Sequence, residues 1–151
     1  MTQGQKSPRN AQGAKVAWVV LFIIAVVNVI SCAGGSWGIF ANGADLFGGD
    51  ILAGTVFDEK YWLAAVALAF VGAVQLVAVV MQLRHSRWAA SLHAFAGMTM
   101  MVFIFVEVLS INETFILQPI FFGLGALQLS LSPLFAQMWS QRPTSANSHI
   151  D

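Results

Sequence analysis

The sequence predicts an all-α integral membrane protein, a bundle of four antiparallel transmembrane helices in up-down-up-down order. Three observations carry that prediction. Of the 151 residues, 58% are hydrophobic and 9% are charged, whereas a soluble domain carries roughly a quarter charged residues. So few charges cannot cover a water-facing surface, and the uncovered remainder must face lipid. The second is four long apolar stretches separated by polar breaks, each close to the roughly 20 residues that a spanning helix needs. The third is the grouping of Lys and Arg on one side of the resulting arrangement.

Residues 1–14 are polar and read as a disordered tail. The chain then turns apolar, and the first span covers about 16–35. Residues 36–60 form the only sizeable loop, broken by Gly38, Gly43, Gly48, Gly49 and Gly54 and charged by Asp45, Asp50, Asp58 and Glu59. The second span covers about 61–83. Arg84-His85-Ser86-Arg87 is too short a link for anything but an antiparallel hairpin. The third span covers about 88–108, and Asn112-Glu113-Thr114 makes a second tight link. The fourth covers about 115–139. Pro119 falls in its first turn, where a missing N–H costs nothing. Pro133 frees the carbonyl of Leu129 and should bend the helix. Residues 141–151 are a polar tail, so the membrane domain is 15–140.

Lys6, Arg9, Lys15, Arg84, Arg87 and Arg142 fall on one side, and only Lys60 on the other. The positive-inside rule places both termini in the cytoplasm, and the expected location is the plasma (inner) membrane. Trp18, Trp88 and Trp139 then lie at inner helix ends and Trp37 and Trp62 at outer ends, as an interfacial aromatic belt requires.

Composition also excludes functions. A formal net charge of zero offers no basic footprint for nucleic acid. The single cysteine, Cys32, forms no intrachain disulfide and no CxxC pair. His85, His93 and His149 fit no metal-binding spacing. A haem held by two histidines would need a partner for His93 on another span, and there is none. No cofactor is implied, and no nucleotide-binding or hydrolase motif is present.

The candidate site residues are polar groups inside the spans. Asn28, Gln75 and Gln128 lie on three helices and Thr99 on the fourth. Each sits about 12–18 Å from the cytoplasmic end of its span, which puts them in one layer. One reading is interhelical hydrogen bonding that sets register; the other is a midplane site for a polar substrate or ion. Glu107 is the only acid inside a span, a functional candidate by that fact, yet about one turn from the outer end, where it reaches headgroups. His93 shares a helix face with Gly97, Met100, Ile104 and Glu107. It lies about 21 Å from Glu107 along the axis. A proton path between them needs the amides and waters; a packed helix face needs nothing more. Gly34 and Gly38 form a GxxxG pair, and Ala65, Ala69, Ala73 and Ala90, Ala94, Gly97 extend the small-residue theme. These are expected to be helix contact faces.

A basic start, an apolar stretch and Val29-Ile30-Ser31-Cys32 before Ala33-Gly34-Gly35 resemble a bacterial lipoprotein signal. That resemblance implies lipidation of Cys32, removal of residues 1–31 and a three-span mature chain. The competing reading is a signal anchor that stays attached. Asn112-Glu113-Thr114 matches the N-glycosylation pattern but lies too close to two membrane ends to be used.

The functional expectation is a non-enzymatic membrane component, an accessory subunit or self-associating bundle. Its partners are the lipid bilayer and either a membrane protein or a second copy. The alternative is a small proton-coupled transporter, with Glu107 titrating and Asn28, Gln75 and Gln128 lining the path. An intramembrane enzyme would have only Glu107, His93 and Cys32 as reactive groups, far apart in depth.

Overall fold

A computed structural model describes residues 8–47, 53–55, 58, 60–111 and 114–140. The tails 1–7 and 141–151 with Lys6, Arg142 and His149, much of the 36–60 loop, and Asn112 and Glu113 lie outside the described residues. The fold is all-helical: α1 Pro8–Asn42, α2 Tyr61–Leu83, α3 Ala89–Ser110 and α4 Leu117–Ser140, with a short 3-10 helix at Gly43–Phe47. Each of the four long helices is long and apolar enough to cross a membrane. The chain is a small membrane protein.

Each helix packs on its sequence neighbour, and α1 on α4 closes the ring. Helices α2 and α4 therefore face each other across the bundle diagonal. Lys15, Arg84 and Arg87 fall at one end, hereafter the basic end. Lys60 and the described residues of the 36–60 segment fall at the other, the loop end.

Helix α1 is longer at both ends than the expected 16–35, and residues 8–14 are helical rather than tail. Pro8 occupies the first helical position, where its missing N–H is no loss. At the loop end, apolar residues continue past Gly35. Ser36 Oγ donates to Ala65 O of α2 at 2.8 Å, and Leu46 returns over Gly38. The helix stops at Gly43, whose φ of 54° is the left-handed conformation of a helix C-cap. Helix α2 covers the residues read from the sequence, and α4 runs unbroken through Pro133.

The α2–α3 link is a Schellman motif. Ser86 N–H donates to Met81 O and His85 N–H to Gln82 O, both at 3.0 Å. His85 holds the left-handed position with φ 51°, a place glycine usually takes. At the start of α4, Phe115 N–H donates to Gln118 Oε1 and Gln118 N–H to Phe115 O, both at 3.1 Å. The first bond is the half of a capping box that a Gln at N3 supplies, and the second is a backbone turn bond.

The bundle is apolar outside and partly polar inside. Val16, Val19, Ile23, Val27 and Ile30 form the exposed face of α1, while Ala17, Leu21, Ala25, Asn28 and Cys32 form its buried face. Trp37, Trp62 and Trp88 are exposed near their helix ends, where an aromatic belt would anchor them. Two apolar clusters occupy the interior. Ala17, Leu21, Ala89, Ala90 and Phe135 fill the basic end. Cys32, Val71, Met100 and Ile104 fill the half nearer the loop end.

Close approach depends on glycines other than those the GxxxG pair suggested. Nothing lies within 4 Å of a Cβ built on Gly34, and at Gly38 such a Cβ meets only Leu46. Ala69 and Ala73 face outward and only Ala65 of that stripe is buried. The contacts are made instead by Gly97 and Gly125, and by Gly72. A Cβ on Gly97 would fall 2.6 Å from Gly125 O, and one on Gly125 would fall 2.8 Å from Gly97 O. Across α1 and α2, a Cβ on Gly72 would lie 2.8 Å from Cys32 Cβ. Of the expected small-residue faces, Ala65, Ala90 and Gly97 are buried while Gly34, Ala69 and Ala73 are exposed, because small residues mark a helix interface only on the inward face, and a four-residue repeat does not say which face that is.

Two outcomes are expected from thermal unfolding in detergent. Gly97→Ala must push α3 and α4 apart and should lower stability by about 1–3 kcal/mol. His85→Gly relieves left-handed strain, less the extra unfolded-state freedom of glycine, and should raise stability by about 0.5–1 kcal/mol.

Candidate functional site

Between the two apolar clusters lies a polar layer. Gln75 and Gln128 are both 0% exposed and pair across the bundle diagonal. Gln128 Nε2 donates to Gln75 Oε1 at 2.9 Å, and Gln75 Nε2 donates to Gln128 Oε1 at 3.2 Å. The Gln75 amide also donates to Ala96 O of α3 at 3.2 Å. His93, also fully buried, extends the layer toward the basic end. Its Nδ1 lies 3.1 Å from Gln128 Nε2 and its Nε2 lies 2.8 Å from Gln82 Oε1. Gln82 Nε2 then donates to Trp18 O of α1 at 2.7 Å. Every one of the four helices contributes a group.

The partners assign the imidazole. A carbonyl oxygen only accepts, so Nε2 of His93 carries the proton and donates to Gln82. An amide nitrogen only donates, so Nδ1 is bare and accepts from Gln128. Both contacts specify the same neutral tautomer. The ring also packs edge-on to Phe135, with centroids 6.1 Å apart. Gln82 was not among the residues singled out from the sequence. Its spacing of two turns from Gln75 on the same α2 face was the available signal.

Two expected members of the layer behave differently. Thr99 does not join it: its Oγ1 donates to Phe95 O one turn back on its own helix, at 2.8 Å. A mid-helix threonine can satisfy its hydroxyl on its own helix in that way. Asn28 does sit at the right depth. Cys32 meets Gly72 and Trp18 O meets Gln82, so Asn28, between them on α1, lies level with Gln75. It is fully buried, yet neither side-chain polar atom has a hydrogen-bond partner.

Glu107 lies elsewhere. It is partly buried on α3 beside Gln118, and among the described residues no Lys or Arg pairs with it. Gln118 itself is buried, and its side-chain amide is the polar neighbour of the Glu107 carboxyl. Glu107 lines a cavity of about 220 Å³ in the loop-end half, with Cys32, Tyr61, Leu68, Met100 and Phe103 among the other walls. None of Asn28, Gln75, His93 and Gln128 lines it. Cys32 and Glu107, expected to be far apart in depth, both line this chamber. Cys32 is a buried free thiol in mid-helix. Among the described residues no group of His, Cys, Asp and Glu side chains is placed to hold a metal ion.

Comparison with protein families, curated proteins and solved structures finds no match. The site must therefore be read from its own chemistry.

The geometry separates a closed polar layer from an apolar chamber with one acid. Opposite stability effects should expose the difference between satisfied and orphaned amides. Gln128→Leu strands Gln75 and His93 and should lower stability by about 1–3 kcal/mol. Asn28→Leu removes two unpaired polar atoms and should leave stability unchanged or raise it by about 1 kcal/mol. Thermal unfolding of both variants in the same detergent makes the comparison.

Proposed function

We propose that this chain is a non-enzymatic multi-pass component of the plasma (inner) membrane, an accessory subunit or self-associating bundle, with both ends in the cytoplasm. One observation carries the reading: the mid-depth side chains of Gln75, Gln82, His93 and Gln128 bond to one another and to backbone carbonyls. A transport path needs polar groups that face a wet passage and exchange partners with a substrate. These groups are engaged instead in holding four helices in register, at roughly 0.6 kcal/mol per bond. The orientation rests on Lys15, Arg84 and Arg87 lying at one end against Lys60 at the other.

The rival reading is the proton-coupled carrier. It draws support from Glu107 facing a cavity. Against it stands the separation of that cavity from the amides that would have to continue the path.

Two measurements discriminate. Proteoliposomes containing the chain should show no proton flux above empty vesicles, and Glu107→Gln should change nothing. A flux that Glu107→Gln abolishes would overturn the accessory reading in favour of the carrier. Cross-linking in native membranes should return one discrete larger species containing the chain; a monomer alone would contradict both forms of the proposal.

A further inference from the structure

The loop-end cavity is not explained by a scaffold role. Its volume, about 220 Å³, is about one and a half times that of the ~150 Å³ apolar cavity that accommodates benzene. A chamber of that size has room for one aromatic ring and a short aliphatic chain. Leu68, Met100, Phe103, Ile104 and Phe121 supply aliphatic and aromatic walls. Leu117 on its rim is exposed, so a solute dissolved in the bilayer reaches it without crossing the bundle.

The chamber also carries one acid. Glu107 sits in its wall with no described basic residue paired to it, in surroundings that solvate a carboxylate poorly. The neighbouring Gln118 is 3% exposed and its side-chain amide faces the Glu107 carboxyl. The Phe115 N–H at the start of α4 holds that side chain by its other amide atom. An apolar chamber with one carboxyl at its edge, faced by a side-chain amide and by no described Lys or Arg, matches a molecule that is oily at one end and cationic at the other. Three phenylalanines in the wall, Phe103, Phe115 and Phe121, add faces that attract an ammonium.

We propose that this cavity binds a small lipophilic amine, its hydrocarbon body among Leu68, Met100, Phe103 and Phe121 and its ammonium at Glu107. The inference goes beyond the accessory role and does not depend on it, because a scaffold and a monomer could each carry the site.

The test uses the full chain in lipid nanodiscs with two probes of equal size, phenylbutylamine and phenylbutanol, and empty nanodiscs as the partition control. The amine should bind saturably and about tenfold more tightly than the alcohol, as a charge-assisted contact provides. Glu107→Gln should bring the two affinities together while leaving that of the alcohol unchanged. Ile104→Trp should fill the chamber and abolish both. A diazirine-bearing phenylbutylamine should label the wild-type chain at Phe103, Ile104 or Phe121, an outcome that stands even if Ile104→Trp fails to fold. The proposal is overturned by any of four results: no saturable binding, equal wild-type affinities, a preference that survives Glu107→Gln, or labelling confined to other surfaces.

Discussion

Everything in this bundle follows from the fact that lipid offers no hydrogen bonds. A polar group inside the hydrocarbon must find its partner in the protein or remain unpaired. Gln75, Gln82, His93 and Gln128 meet that demand together. Each amide presents one donor end and one acceptor end, so the groups can chain across the interior only in matched order. The imidazole fits the chain because its two nitrogens differ: one donates to Gln82 and the other accepts from Gln128. A shift of any helix by one residue would break several contacts at once. Small as each bond is, the set therefore specifies register.

Lipid also removes the ordinary reason for helices to pack. Leucine gains little by leaving a hydrocarbon solvent for a hydrocarbon core, so close contact has to come from shape. The bundle supplies it at Gly97 and Gly125, where backbone meets backbone, and at Gly72, where Cys32 seats against α2. The polar layer lies between the two apolar clusters, and the α3–α4 contact lies beside it, since Gly97 follows Ala96, whose carbonyl receives Gln75. Polar matching and backbone contact thus act at the same depth.

Asn28 and Glu107 are the two groups that this arrangement does not absorb. Asn28 shares the depth of the polar layer but bonds to none of it. Glu107 faces an apolar chamber near the loop end. A group serving only structure would be expected to find a partner; Asn28 has none, and Glu107 has the Gln118 amide beside it but no described Lys or Arg. The two are therefore the natural places to look for chemistry beyond scaffolding, and the acid is the one with space beside it.

Much of the fold was legible in the sequence because the signals for it are local. Long apolar runs, Lys and Arg placement, tryptophan positions and short links between spans each depend on neighbouring residues, and the solvent turns them directly into helices and hairpins. The extension of α1 to Pro8 was not visible in hydropathy, because residues 8–15 are polar, and at the loop end the glycines that read as breaks are spanned by a helix held by Ser36 bonding to Ala65 and by Leu46 covering Gly38. The depth of Asn28, Gln75 and Gln128 could be counted from the sequence, since rise per residue is constant. Rotation about each helix could not. Whether Thr99 turned inward, whether Gln82 completed the network and which glycines touched were decided only when four helices were packed together. Depth is a property of one chain segment, but facing is a relation between two.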